Sequence, residues 1–137
     1  MVETGKQPIV PVLAGLIYDA AGKLLIARRK AGLANGGKWE FPGGKLQQGE
    51  SPEACLEREI AEELGISIAV ERPYLLVNHE YPDKSILLIS YICRFRGGEW
   101  QLTDHDRVEW RSAAQLTEVE FSAADVPIVN KIIGCDR

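Results

Sequence analysis

The chain has 137 residues and a formal net charge of −4 at pH 7. It is long enough to bury the core of one domain, and it lacks the basic excess of proteins that bind duplex nucleic acid or anionic membranes. Hydrophobic residues make up 45% of the chain and charged residues 26%, a balance that excludes a disordered protein. We therefore expect residues 1–137 to form a single domain.

The N-terminal segment MVETGKQPIV lacks both the basic and the apolar region of a signal peptide. No apolar run approaches the roughly 20 residues of a membrane span. The cysteines Cys55, Cys93 and Cys135 are far apart and form no CxxC pair, which predicts reduced thiols and neither a disulfide framework nor a zinc site. Together these features predict a cytoplasmic protein.

Two strands, 9–19 and 23–30, are the first predicted elements, because both segments contain strand-like runs of apolar residues. Gly22 in the intervening DAAGK suits a tight hairpin turn. The glycine-rich segment 31–38 is predicted as a loop. Residues 39–45 form a short extended stretch that is interrupted by its Pro-Gly-Gly sequence.

The clearest predicted helix covers residues 51–65. Ser51 can accept a hydrogen bond as its N-cap, Pro52 suits the first helical position, and Gly65 is a typical C-terminal stop.

Further strands and a final helix are predicted in the second half of the chain. The strands lie at 68–80, 85–95, 99–102 and 107–110, and the helix lies at 125–133. The alternation of strands and helices favours an α/β fold with a mixed sheet covered by helices.

Three glutamates, Glu59, Glu62 and Glu63, fall on one face of the first helix, beside an apolar stripe that would pack on the sheet. Two such charges about 6 Å apart repel by roughly 2–3 kcal/mol at an effective dielectric constant of about 20. A divalent cation such as Mg²⁺ would remove this repulsion and take carboxylate oxygens as ligands. The alternative is a solvated acidic face that pairs with Arg58.

A longer pattern surrounds this helix. From Gly44 to Ile66 the sequence reads G-x5-E-x7-R-E-I-A-E-E-L-G-I, which resembles the Nudix box at every specified position of residues 44–66. Segments on both sides, including WEFPGGK, RVEW and FSAADVPIVNKI, resemble the MutT-type branch of the Nudix hydrolases.

This resemblance implies an α/β/α sandwich and hydrolysis of a nucleoside diphosphate linked to another group. It implies a Mg²⁺ or Mn²⁺ ion bound by the Gly43 carbonyl and by Glu59, Glu62 and Glu63. Arg58 would orient the glutamates through ion pairs. Structural roles in the motif are implied for Gly44, Glu50 and Gly65, with Glu50 stabilising the turn before the helix.

Two carboxylates are candidates for the general base that takes a proton from the attacking water. Glu59 belongs to the motif. Asp104 lies six residues before Trp110, where the MutT pattern has a glutamate, but it could equally be a solvated loop acid.

The same resemblance implies nucleotide contacts. Arg29 lies where the MutT pattern has an arginine that meets the nucleotide, and Arg28 should face the opposite way by strand alternation. Lys45 would meet a phosphate, and Tyr81 would stack on the base or meet its edge. The segment whose backbone faces the substrate corresponds to Glu40, Phe41, Pro42 and Gly43.

Asp125 departs from the MutT pattern, which has asparagine at this position. An ionised aspartate offers only acceptors, which suit an exocyclic amine of guanine or cytosine, and aspartate here resembles the CTP and methyl-dCTP pyrophosphohydrolases. Alternatively, the side chain caps the last helix. His79 and His105 are too isolated in the sequence to be predicted as ligands.

The resemblance therefore implies a Mg²⁺-dependent pyrophosphohydrolase that converts a (deoxy)nucleoside triphosphate, 8-oxo-dGTP first, to monophosphate and pyrophosphate, in nucleotide-pool sanitation. CTP, dCTP or 5-methyl-dCTP is the alternative substrate. ADP-ribose, a dinucleotide, or nucleotide binding without hydrolysis is less favoured. The segment GLANGGKW resembles a P-loop, but Trp39 replaces the required hydroxyl residue. We expect a small-molecule nucleotide as partner, no nucleic acid polymer, no membrane, and a monomer or weak dimer.

Overall fold

A mixed β-sheet with helices on both faces forms the centre of the computed structural model, which describes residues 7–134. Seven strands lie within these residues: β1 (Ile9–Tyr18), β2 (Leu24–Arg29), β3 (Trp39–Glu40), β4 (Gly43–Lys45), β5 (Ile66–Tyr81), β6 (Lys84–Gly98) and β7 (His105–Arg111). The helical elements of the same region are α1 (Pro52–Leu64), α2 (Val126–Ile132) and the 3-10 helices Ala113–Glu118 and Ala123–Asp125.

The central part of the sheet has the strand order β3-β2-β1-β6-β5. Strand β1 pairs in parallel with β6 and antiparallel with β2 and β4, while β7 pairs antiparallel with β2. The predicted hairpin is confirmed: Gly22 adopts φ 80°, and the Asp19 carboxylate accepts hydrogen bonds from two turn amides, those of Ala21 and Lys23. Strand β1 therefore joins the two halves of the sheet: β2, β3, β4 and β7 lie on one side of it, and β5 and β6 lie on the other.

Helix α1 begins and ends where its sequence predicts. The Ser51 hydroxyl accepts a hydrogen bond of 3.1 Å from the Ala54 amide, and Pro52 occupies the first turn. Gly65 has the left-handed φ of 75°, and its amide donates to the Ala61 carbonyl. These caps supply partners for backbone groups that the helix itself leaves unpaired.

The predicted strand at 99–102 is wrong, since this segment is irregular in the structure. The Gln101 amide donates to the Leu64 carbonyl, and the Thr103 amide donates to the Glu63 carbonyl. These carbonyls belong to the last turn of α1 and have no partner within the helix. The segment therefore pairs with the end of a helix and not with the sheet.

Two hydrophobic cores lie on opposite faces of the sheet. Leu13 and Ile17 of β1 belong to the first core, which also contains the buried residues of α1. Ala14 and Leu16 belong to the second core, which contains the buried residues of α2. This alternation follows from the two-residue period of a strand. The apolar stripe of α1 is fully buried in the first core, as predicted, through Leu56, Ile60 and Leu64. The predicted α/β/α sandwich with a mixed sheet is confirmed.

The thiols of Cys55 and Cys93 are buried and free, as predicted. Burial is the main cause that raises the pKa of each thiol to about 12. Cys135 lies outside the described residues. No helix within residues 7–134 is long and apolar enough to cross a membrane.

Candidate active site

A cavity of about 490 Å³ opens between the two halves of the sheet and the N-terminal end of the 3-10 helix before α2. It brings together many of the residues that the sequence singled out. The predicted site residues that line it are Arg29, Glu40, Phe41, Gly43, Gly44, Lys45, Glu59, Glu63, Tyr81 and Asp125. The predicted site residues that do not line it are Pro42, Glu50, Arg58, Glu62, Gly65 and Asp104.

Two glycines allow β1, β4 and α1 to approach one another at the cavity floor. A Cβ atom on Gly43 would lie 1.9 Å from the Leu13 carbonyl oxygen, and one on Gly44 would lie 1.9 Å from Glu59 Oε2. Both distances are far below van der Waals contact. The absence of side chains here therefore permits the Glu59 carboxylate to lie against the β4 backbone.

Arg58 joins the loop before α1 to the helix itself. Its Nε and Nη2 donate to the two carboxylate oxygens of Glu50 at 2.6 and 2.9 Å, a bidentate pair. The Arg58 hydrogen bond, with the Gln47 amide as a second donor, lowers the pKa of Glu50 to about 2, and the same pair raises the pKa of Arg58. The contacts expected of Glu50 at the loop–helix turn are thus present.

The same guanidinium also reaches two of the motif glutamates. Arg58 Nη1 lies 3.2 Å from Glu62 Oε1 and 3.6 Å from Glu59 Oε1. Glu62 is largely exposed and turned toward this arginine, away from the cavity wall. Its assignment as a metal ligand stays a prediction.

Glu59 and Glu63 place two carboxyl groups in the wall of the cavity. Burial raises the pKa of Glu59. Burial also raises the pKa of Glu63 to about 8, and the carboxylates of Glu59, Glu40 and Asp104 add to this effect in that order. Glu63 Oε1 is buried and has no hydrogen-bond partner among the described residues. Without a cation, Glu63 therefore holds a proton at neutral pH.

These donors fit a hard divalent cation. Carboxylate oxygens are the ligands that Mg²⁺ prefers, and the unpartnered Glu63 oxygen is a donor atom of this type. Within residues 7–134, however, no three His, Cys, Asp or Glu side chains already converge on one point. The site nevertheless supplies the type of donor that such an ion requires.

His105 is a site residue that the sequence did not predict. Its side chain is completely buried, with Nε2 at 2.8 Å from Glu40 Oε2 and Nδ1 at 3.9 Å from Glu63 Oε1. The pairing of β2 with β7 sets His105 opposite Arg29. Glu40 and His105 are 65 positions apart, so their contact leaves no short spacing pattern in the sequence. The available hint in the sequence was that His105 directly follows Asp104, a candidate for the general base.

Asp125 lines the cavity from the start of α2, whereas the metal-binding candidates Glu59 and Glu63 belong to α1. Its Oδ2 accepts a hydrogen bond of 2.9 Å from the Phe41 amide, and the side chain makes no capping hydrogen bond to α2. The helix-cap interpretation is therefore wrong. Burial, as the main cause, raises the pKa of Asp125 to about 8, so the carboxyl is neutral at pH 7 and offers a donor as well as acceptors.

The remaining predicted contacts surround this pocket. Arg29 Nε donates to the Ala34 carbonyl at 2.9 Å, and its Nη1 lies 3.6 Å from Glu40 Oε2. Arg28 points away from the cavity, as predicted, and pairs with Asp106 at 2.8 Å. Tyr81 lines the pocket with its ring edge-on to His79. The fold thus sets two cationic side chains, Arg29 and Lys45, in the same cavity as the carboxyl groups of Glu59 and Glu63, which we call the acidic floor. The neutral Asp125 carboxyl lines this cavity as well.

A family model described as "NUDIX domain" matches residues 13–131. A similar curated protein is the 8-oxo-dGTP diphosphatase of Escherichia coli K12, which is 32% identical over 122 residues that cover 88% of this chain and 94% of that protein. The CTP pyrophosphohydrolase of the same organism is 31% identical over 126 residues, which cover 92% of this chain and 93% of that protein.

Solved structures agree with these sequence matches. The MutT protein of Methanosarcina mazei Go1 superposes with a TM-score of 0.84 at 25% identity and covers 96% of this chain and 98% of its own. The E. coli ORF135 protein superposes with a TM-score of 0.81 at 30% identity and covers 96% of this chain and 94% of its own.

Proposed function

Because the chain belongs to the NUDIX domain family, a family of phosphoanhydride hydrolases, we propose that it converts a (deoxy)nucleoside triphosphate to the monophosphate and pyrophosphate, with 8-oxo-dGTP as the leading substrate. One observation carries this proposal. A single cavity is lined by the carboxyl groups of Glu59 and Glu63 from α1 and by the neutral Asp125 carboxyl from the start of α2. This arrangement suits a molecule with a phosphate chain at one end and a base at the other.

The phosphate end is assigned to the acidic floor. We propose that Glu59, Glu63 and the Gly43 carbonyl hold Mg²⁺ or Mn²⁺, with Glu62 as a further ligand. When bound, such an ion neutralises phosphate charge and makes a bound water more acidic. Lys45 and Arg29 line the same cavity. Their positive charges suit the oxygens of those substrate phosphates that the metal ion does not bind.

The reaction needs a base for the attacking water. The water oxygen forms a bond to phosphorus, the bridging P–O bond breaks, pyrophosphate leaves, and the water proton passes to a carboxylate. Glu59 lines the cavity, whereas Asp104 does not. This difference favours Glu59, and Asp104 remains the alternative because it lies close enough to influence the pKa of Glu63.

The part of the cavity near Asp125, where we place the nucleobase, supports the choice of substrate. At pH 7 the Asp125 carboxyl presents a donor and an acceptor, as an asparagine does. This pairing suits an oxidised guanine, and relatives named 8-oxo-dGTP diphosphatase support the same choice. A cytosine nucleotide is the second candidate, because a relative named CTP pyrophosphohydrolase is almost as similar to the chain.

A substrate panel with and without Mg²⁺ tests the proposal. It contains 8-oxo-dGTP, dGTP, dCTP, 5-methyl-dCTP, CTP, ADP-ribose and a diadenosine polyphosphate, with pyrophosphate and phosphate assayed separately. We expect Mg²⁺-dependent release of pyrophosphate, fastest from 8-oxo-dGTP. Turnover of ADP-ribose or the dinucleotide alone would contradict the triphosphate assignment. A lack of turnover across the panel would indicate a nucleotide-binding protein without hydrolase activity.

A further inference from the structure

His105 contacts two carboxyl groups of the candidate site at once. It lies at the start of β7, and its imidazole is completely buried between Glu40 of β3 and Glu63 of α1. Both carboxyl groups line the cavity. Glu40 is the first residue of the segment 40–43 that we expect to face the substrate, and Glu63 belongs to the acidic floor. These two carboxylates are 23 residues apart in the sequence, and the ring lies between them.

The two ring nitrogens have different surroundings. A carboxylate accepts hydrogen bonds, so Nε2 donates to Glu40 Oε2 at 2.8 Å. Nδ1 faces Glu63 Oε1 at 3.9 Å, and neither of these two atoms has a hydrogen-bond partner among residues 7–134. Buried polar atoms without partners are rare in folded proteins. The Glu40 side of the ring is thus fixed by a hydrogen bond, and the Glu63 side lies against the Glu63 carboxyl without one.

We propose that His105 is a positioning residue that holds Glu40 and Glu63 at a set separation and so links nucleoside binding to the placement of a metal-binding carboxylate. The assignment of Glu63 as a cation ligand rests on the proposed function. A planar, buried ring with contacts on opposite sides suits this role, because it transmits a shift of one carboxylate to the other. The alternative is a core histidine that pairs only with Glu40.

Two substitutions separate the halves of the contact. The amide of His105→Gln can reach the position of Nε2 and keep the Glu40 hydrogen bond, but it leaves no atom beside Glu63. The amide of His105→Asn lies near the position of Nδ1 and loses Glu40. We expect His105→Gln to weaken Mn²⁺ binding and lower kcat by about tenfold with little change in KM. We expect His105→Asn to raise KM by about tenfold and to weaken Mn²⁺ binding only severalfold, because it loses the link to Glu40 but keeps an atom beside Glu63.

The measurements are the Mn²⁺ dissociation constant of the nucleotide-free protein by electron paramagnetic resonance, kcat and KM, and the metal-free melting temperature. Asp106→Asn is the matched control, since Asp106 is the next residue of β7 and pairs with Arg28 outside the cavity. It should leave Mn²⁺ binding and turnover unchanged. Equal effects of both His105 variants on kcat, KM and Mn²⁺ binding, or a lower melting temperature alone, would overturn the proposal.

Glu40→Asp provides a second route if neither His105 variant folds. It keeps the charge of Glu40 and withdraws the carboxylate by one methylene from His105, so Mn²⁺ binding should weaken severalfold although residue 40 is not a proposed ligand. Unchanged Mn²⁺ binding in Glu40→Asp would overturn the positioning role. A wild-type protein without metal-dependent turnover would instead contradict the proposed function, which keeps the two failures distinct.

Discussion

The amide of Phe41 donates a hydrogen bond of 2.9 Å to the carboxyl group of Asp125, which lies 84 residues farther along the chain. The contact ties the segment after β3 to the start of α2, and both residues line the same cavity. Asp125 is only 5% exposed, and burial is the main reason that its pKa rises to about 8, with Glu40 as a smaller contributor. The protonation state of one buried acid therefore sets what this end of the cavity offers a ligand.

We expect nucleotide binding at this end to weaken as Asp125 ionises. Below about pH 8 the carboxyl group carries a proton that it can donate, and above that pH it has only acceptors. The affinity for 8-oxo-dGMP, measured without metal by isothermal titration calorimetry, should fall by about tenfold between pH 7 and pH 9. Asp125→Asn keeps a donor at all pH values and should show a smaller decrease. Parallel pH profiles for the two proteins would contradict this role.

Asp125→Asn should also stabilise the protein near neutral pH. The pKa of an aspartate in the unfolded chain is about 4, whereas in the folded protein the pKa is about 8. The stability linked to the neutral carboxyl is fully present below about pH 4 and is progressively lost as the pH rises to about 8. The variant should therefore melt several degrees higher than the wild type at pH 7 and at nearly the same temperature at pH 4. A difference in melting temperature that does not vary with pH would contradict the raised pKa.

Short-range patterns predicted α1 well. Ser51, Pro52 and Gly65 cap it as expected, and its buried stripe follows the spacing of apolar residues. The motif also marked Glu59 and Glu63, which share a cavity wall. Such features depend on residues within a few positions of one another, so one segment of sequence contains the whole signal.

Features that depend on distant segments were not predictable in this way. The neutral state of Asp125 arises from burial by the folded chain, and the contacts of His105 require β7 to pair with β2. The segment 99–102 has the composition of a strand, yet the Gln101 amide pairs with the end of α1. In each case tertiary contacts, and not local preference, determine the outcome.

Binding of a divalent cation should compete with the proton on Glu63. Because the pKa of this carboxyl is about 8, we expect Mn²⁺ affinity to rise by up to about tenfold per pH unit below pH 8 and to level off above it. Glu63→Gln should remove this pH dependence and lower kcat/KM by about 100-fold or more. Paramagnetic resonance between pH 6 and 9 measures the affinity. A Mn²⁺ affinity that is the same in both proteins would contradict the assignment of Glu63 as a ligand.

Millimolar Mg²⁺ should raise the melting temperature of the wild-type protein, since a ligand that binds only the folded state stabilises it. The increase should be smaller in Glu63→Gln, because this variant lacks the carboxylate that residue 63 would offer to the cation. Thermal unfolding followed by circular dichroism, with Na⁺ at matched ionic strength as the control, measures both proteins. Equal effects of Mg²⁺ and Na⁺ would count against a specific cation site.

Gly44→Ala should lower the activity of the enzyme without unfolding it. The added Cβ would lie 1.9 Å from Glu59 Oε2, and the end of a flexible side chain can move away more readily than a strand backbone. Glu59 would then leave the cavity floor, so Mn²⁺ binding and kcat should fall together by about tenfold or more. Gly15→Ala is the matched control, because a Cβ there meets its neighbours at an ordinary 3.5 Å. If the Gly44 variant kept wild-type Mn²⁺ affinity while folded, the close approach of Glu59 to β4 would not be needed for the metal site.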